Sequence, residues 1–190
     1  MKCVPVVAGL FGLLSLSAGR VADAQDVDSL VPRAGAWGAE AAVLSTAGSL
    51  LRFTSPRRAW LAGLSFGVWH QDQSVGVAAS NFSVRGQLGT RWYHATMGDR
   101  HLHNTVGLGL TGDLTGVDFP DQSARQWDIG PYGELGETWF FTPHLSLGAI
   151  GLLQATVGRQ NHTNSGAPDQ TTKVWSVSGS LIRILAGVYF

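Results

Sequence analysis

Phe82-Ser83-Val84-Arg85-Gly86-Gln87-Leu88-Gly89-Thr90-Arg91-Trp92-Tyr93 changes polarity at nearly every step. A β-strand sends successive side chains to opposite faces. Phe82, Val84, Gly86, Leu88, Thr90 and Trp92 therefore share one face, and Ser83, Arg85, Gln87, Gly89, Arg91 and Tyr93 share the other. One face is apolar and aromatic, while the other carries two guanidinium groups. The same pattern recurs on both sides. Leu102, Val106, Leu108 and Leu110 oppose His103, Thr105, Gly107, Thr111 and Asp113. Trp60, Ala62, Leu64, Phe66 and Val68 oppose Gly63, Ser65 and Gly67, and Leu145, Leu147, Ala149, Leu153 and Val157 oppose Ser146, Gly148, Gln154 and Thr156.

Eight such stretches are expected, at residues 35–44, 49–54, 59–71, 80–95, 101–115, 125–140, 144–158 and 172–190. Several exceed the usual five or six residues of a soluble strand and reach the roughly ten that a tilted membrane strand needs. Composition points the same way. Charged residues make up 14% of the chain, with 25 Gly and 7 Trp, against about 25% charged in a typical soluble domain. So much glycine disfavours helices, and sparse charge with many tryptophans suits a surface facing lipid. A soluble β-sandwich would show the same alternation with its apolar face turned inward, so periodicity alone does not separate the two.

The connections add an asymmetry. Ser55-Pro56-Arg57-Arg58, Met97-Gly98-Asp99-Arg100 and Thr142-Pro143 read as tight turns, whereas residues 72–79, 116–124 and 159–171 read as longer polar loops. The turn at 45–48 alone breaks the rule by being short. Short turns at one end and long loops at the other are the layout of an outer-membrane barrel. Trp37, Trp60, Trp92 and Trp139 fall at the short-turn ends on the apolar face, and Trp127 falls at the opposite end. These five form the expected aromatic girdle. Two places resist the pattern. Trp175 and Val177 differ in parity from Ile182, Ile184, Val188 and Phe190, which calls for a β-bulge near 178–180. Glu137 shares the apolar parity of Trp127, Ile129, Leu135 and Trp139, so either a bulge or an interfacial position is needed there.

The N-terminus reads as an export signal at 1–24: Lys2, an uncharged apolar run from Val4 to Ala18, then Ala22-Asp23-Ala24 with cleavage before Gln25. A short periplasmic segment at 25–34 and a barrel at 35–190 complete the expected organisation. Cys3 is the only cysteine and leaves with the signal, so no disulfide is expected. Of 13 basic and 13 acidic residues the signal carries Lys2, Arg20 and Asp23, which leaves 11 and 12. No basic excess points to nucleic acid, and no later segment is long and apolar enough for a membrane helix.

On these features the chain resembles the small eight-stranded outer-membrane barrels of the OmpA/OmpX type. The terminal strand Arg183-Ile184-Leu185-Ala186-Gly187-Val188-Tyr189-Phe190 is similar to the signal read by the barrel-assembly machinery, with Arg183, Val188 and Phe190 as matching positions and Leu185 where glycine is frequent. Gly130-Pro131-Tyr132-Gly133-Glu134-Leu135-Gly136, followed by Phe140-Phe141-Thr142-Pro143-His144-Leu145-Ser146-Leu147-Gly148, is similar to a strand, periplasmic turn and next strand of that group. The resemblance implies an all-β, antiparallel, up-and-down transmembrane barrel in a bacterial outer membrane. It also implies insertion by that machinery, contact with outer-membrane lipid and a monomeric state.

If the apolar face meets lipid, Glu40, Arg52, Arg85, Arg91, Asp113, Asp128, Glu134 and Arg183 point inward, with Gln87, Tyr93 and Tyr132. Eight strands leave an interior that side chains can fill, and charges removed from water must be paired. Four bases against four acids suggest a salt-bridge plug, with Arg85 and Glu134 as expected partners. A narrow pore for small solutes or ions is the alternative. Lipid A modification is a further reading. The nearest match to a deacylase His-x-Ser-Asn motif, however, is His162-Thr163-Asn164-Ser165, which has Asn164 at the nucleophile's position. No catalytic residue, metal or cofactor is therefore expected. His101 and His103 lack a cysteine or carboxylate placed to complete a metal site. The function expected is structural or interactive, through the three long loops, which name no partner.

Overall fold

The computed structural model describes residues 30–43, 45–71, 79–119, 122–166 and 168–190. The expected signal at 1–24, its cleavage point and Cys3 lie outside the described residues, as does most of the connection at 72–79.

Eight strands follow in chain order: β1 Trp37–Ala42, β2 Ala47–Ser55, β3 Arg58–Gln71, β4 Ala79–Thr96, β5 Asp99–Phe119, β6 Gln122–Thr142, β7 Leu145–Asn164 and β8 Gln170–Tyr189. Each pairs antiparallel with the next, and β8 returns to β1, so the sheet is a closed barrel. The closing seam runs to the last residue. Trp37 N donates to Phe190 O at 2.8 Å, and Phe190 N donates to Trp37 O at 2.8 Å. Phe190 is thus the final rung of the ladder that removes the sheet's open edges.

The faces are inverted relative to a soluble fold. Leu50, Trp60, Leu64, Phe66, Val68, Leu88, Leu110, Ile129, Val157 and Val188 are all exposed on the outer face, while Glu40, Arg91 and Glu134 are buried inside. A sandwich would bury the first set and solvate the second. The ambiguity left by alternation is therefore resolved as a barrel with an apolar exterior.

Three expectations change. The polar stretch at 116–124 is mostly strand, because β5 runs to Phe119 and β6 begins at Gln122. The stretch at 159–171 is likewise shortened, with β7 reaching Asn164 and β8 starting at Gln170. Ladder bonds continue between these polar residues, as in Asp118↔Ser123 and Asn161↔Thr171. Polarity marked the end of the apolar band and not the end of the strand. The bulge in β8 falls slightly later than 178–180. Leu152 pairs with Ser180 but Ile150 pairs with Arg183, so the extra residue lies between Ser180 and Arg183. Trp175, Val177, Ile182 and Ile184 all then face outward, as the parity argument required. No bulge relieves Glu137. It keeps the regular register Asn104↔Glu137↔Ala149 and stands exposed two residues from Trp139, near the short-turn end.

The interior is layered. At the short-turn end Phe53, Tyr93, Phe140 and Tyr189 form an aromatic floor with centroids 5.5–5.7 Å apart. Leu51 and Ala59 complete it, and Val31 of the N-terminal segment packs against it from below. Deleting Phe190 removes both closing bonds and the terminal aromatic, whereas Phe190→Asp removes only the aromatic. Both are expected to lower the yield of heat-modifiable folded barrel in membranes, deletion more than substitution. Undiminished folded protein in both variants would contradict the role given to this rung.

Candidate functional site in the lumen

Above the floor, one cation organises the lumen. Arg91 on β4 is 1% exposed and faces inward. Its row across the wall is Arg91↔Gly107↔Glu134. Glycine at the middle position leaves the guanidinium a clear path to the next strand but one. A Cβ added at Gly107 would stand 2.6 Å from Glu134 Oε2. Arg91 Nε and Nη2 each donate to Glu134 Oε2 at 3.1 Å, and Nη1 donates to Glu40 Oε2 across the lumen at 2.5 Å. Tyr189 donates its hydroxyl to Glu40 Oε1 at 2.9 Å and also meets Ser146 Oγ at 2.8 Å. The network joins β1, β4, β6, β7 and β8. Taking these charges from water is costly, and the shared hydrogen bonds offset that cost.

The other expected lumen residues sort into neighbours of this cluster. Arg85 and Asp113 are direct register partners and form a salt bridge. The expected Arg85–Glu134 pairing is therefore replaced by Arg85–Asp113 and Arg91–Glu134. Hairpin arithmetic contained the signal, since positions 85 and 113 are equidistant from the turn that sets 91 opposite 107. Asp128 is buried beside Asp113 and accepts a bond from Gln126 Nε2 at 3.0 Å. Tyr132 is buried against two glycines of its own row, Gly109 and Gly89. Arg183 faces the upper lumen.

Arg52 does not join them. It is exposed on the outer face, with its guanidinium 5.1 Å from the Trp37 ring centroid. Leu50, Leu51 and Phe53 make β2 apolar on both faces, so hydropathy could not fix its parity. The hairpin could, because Arg52 pairs with Trp60, and Trp60 faces outward on a cleanly alternating strand. Arg52 then lies within cation–π reach of the girdle instead of facing a carboxylate. Arg58 does the same, 5.5 Å from Trp60 and 5.9 Å from Trp92.

Trp37, Trp60, Trp92 and Trp139 all lie on the outer face toward the short turns, and Trp127 lies toward the other end. Sequence reasoning left out Trp175, exposed on the outer face in the far half of β8; Trp69 is also exposed but shares the inward parity of Ser65 and Gly67. It also left out the floor residues Leu51, Phe53, Phe140 and Tyr189, whose strands carry apolar groups on both faces.

The free space follows the same layering. The upper lumen holds a cavity of about 540 Å³, but beside Glu40, Arg91 and Glu134 only about 30 Å³ remains. The latter is room for one or two waters. Among the described residues, the upper lumen is thus roomier than the space lined by the Arg91 network.

No family profile and no curated protein sequence matches this chain. Solved structures do. The outer membrane protein OprG from Pseudomonas aeruginosa superposes with a TM-score of 0.53 at 13% identity, covering 86% of this chain and 99% of that one. The fold is that of a small outer-membrane barrel. The N-terminal β-barrel domain of Pseudomonas aeruginosa OprF also aligns, at 17% identity and a TM-score of 0.42, over 82% of this chain and 98% of that domain. At these identities the likeness concerns the barrel and not the lumen residues.

Replacing Arg91 by methionine would leave Glu40 and Glu134 buried without their cation. A loss of about 3–5 kcal/mol is expected, measured as unfolding in urea from detergent micelles. Gly107→Val should destabilise by driving Glu134 off Arg91, and its cost should shrink in a Glu134→Ala background. Strict additivity in that double-mutant cycle would contradict the bridge across Gly107.

Proposed function

We propose that this protein is a bacterial outer-membrane barrel with a closed lumen, exported by its N-terminal signal and serving a structural or surface-interaction role. The observation that carries the reading is the pairing of an apolar exterior with an ionic network spanning the interior. An exterior of exposed Leu, Ile, Val and Trp side chains suits lipid, where a closed ladder leaves no backbone group unsatisfied. A guanidinium shared by two carboxylates above an aromatic floor supports a plug. The fold shared with outer-membrane proteins supports the location.

The surface role belongs to the tall side of the barrel. The β5–β6 and β7–β8 hairpins carry polar residues at their tips, among them the exposed Asp118–Arg125 ion pair at 2.7 Å. Strand-built tips present side chains in fixed register, which suits recognition better than free loops.

A narrow channel is the second reading, and the cavity in the upper lumen is what favours it. Planar bilayers discriminate. The wild type is expected to give no stable unit conductance, while replacing Arg91 and Glu134 together by alanine should open measurable steps. Stable steps from the wild type that disappear when the lumen is blocked would overturn the plug. The mass spectrum of lipid A from cells with and without the protein should be the same, and a shifted species would establish an enzyme.

A further inference from the structure

β1 and β2 have 6 and 9 residues, against 14–21 for the other strands. β1 ends at Ala42 and β2 begins at Ala47, so both stop low in the wall. β8 pairs with β1 as far as Leu185, with one more bond from Val43 N to Ile184 O at 2.9 Å. β3 pairs with β2 as far as Ser65, with one more from Phe66 N to Thr46 O at 3.4 Å. Beyond these points β3 and β8 both continue, and the strand order places no ladder between them. The wall drops here to a lip.

The cavity of about 540 Å³ extends over this lip. Its inner wall is polar and includes Ser65, Ser83, Arg85 and Arg183, while Phe66, Ile182 and Ile184 line it where it meets the outer face. The β8 bulge lies at this point. It turns Ile182 and Ile184 outward and Arg183 inward just where β1 gives out. Bulges often serve to re-aim a side chain in this way.

Arg183 is half-buried and makes no hydrogen bond or ion pair with any of the described residues. Its charged neighbours are Arg85, already engaged by Asp113, and Glu134, already engaged by Arg91. None of the described residues accepts from its planar fork of five donors. Such a fork matches a carboxylate in two parallel hydrogen bonds. With Arg85 and Glu134 each compensated by its own partner, one guanidinium is left for the ligand, which matches a monoanion. A chain attached to that anion cannot run downward, because the Arg91 network and the aromatic floor close the lumen. The apolar exit is over the lip.

We propose that this cavity binds a single-chain carboxylate amphiphile, with the carboxylate on Arg183 and the hydrocarbon chain passing over the lip between Phe66 and Ile182 to the outer face. The site lies above the Arg91 network. The carboxylate site on Arg183 goes beyond the closed-lumen reading, while the route of the chain over the lip rests on it. Loss of retention in Thr46→Trp therefore tests the route, and loss in Arg183→Gln tests the anion site.

The test uses the whole folded barrel in a nonionic detergent, with dodecanoate as probe and retained ligand counted by native mass spectrometry. About one equivalent should be retained. Arg183→Gln should weaken retention about tenfold or more, in line with the loss of a charge-assisted bond. Thr46→Trp, which fills the lip, should also weaken it while leaving Arg183 in place. Arg125→Gln, on the outer surface, should not. Heat-modifiable mobility checks that each variant is folded. Dodecanol should bind less tightly than dodecanoate for want of charge, and acetate less tightly for want of a chain. Undiminished retention by folded Arg183→Gln would overturn the proposal. So would acetate binding as tightly as dodecanoate, or a wild type that retains dodecanol equally well.

Discussion

A wall whose outer side offers no hydrogen-bonding solvent must satisfy every peptide group from within, and here the ladder between Trp37 and Phe190 makes that possible. Without it β1 and β8 would each present a row of unmet N–H and C=O groups, a cost of several kcal/mol for each group in a hydrocarbon setting. Closure then dictates much else. The chain must return to its start, so the strands run up and down in sequence order. The curvature brings inward side chains into a narrow tube, so their sizes must alternate between rows. Glycines at 89, 107 and 109 sit beside Tyr132 and Glu134 for this reason. They are sites where a neighbour's bulk occupies the space a Cβ would need.

The tube also sets the electrostatics. With Arg52 outside, the interior holds Arg85, Arg91 and Arg183 against Glu40, Asp113, Asp128 and Glu134. Arg91 serves two carboxylates at once, which a lysine's single point charge could not do with the same geometry. The network need not add net stability over a well-packed apolar core. What it adds is definition, because a guanidinium held from β1 and β6 fixes the relative height of strands far apart in the chain.

Strands with one polar and one apolar face were readable from sequence, because alternation states both the element and its orientation. β4 is the clearest example, and the parity switch in β8 announced its bulge. β2 was not readable in this way. Leu51 and Phe53 belong to an apolar floor inside, and Leu50 to an apolar band outside, so hydrophobicity carried no directional information and Arg52 was assigned to the wrong face. Its hairpin partner Trp60 held the answer. The strand extensions at 116–119 and 159–164 were hidden for a related reason. Once a strand leaves the apolar band both faces can be polar, and composition then resembles a loop while the backbone ladder goes on. The salt-bridge partners depended on register. Cross-strand pairs such as Arg85 and Asp113 follow from the turn position, but the reach of Arg91 to Glu40 depends on curvature and is not written in any local pattern.

The brevity of β1 has a mechanical side. The β1–β8 seam contains five register pairs, whereas β7 and β8 share seventeen. The β1–β2 ladder is equally short, with five pairs, but those two strands are consecutive in the chain, so β1–β8 is the short seam that no covalent connection backs. The strands from β4 to β8 form a broad, strongly coupled sheet, and β1 acts as a narrow clasp fastening that sheet to itself. A barrel arranged in this way can be assembled almost to completion as an open sheet, and can be unfastened at one place without unravelling the rest.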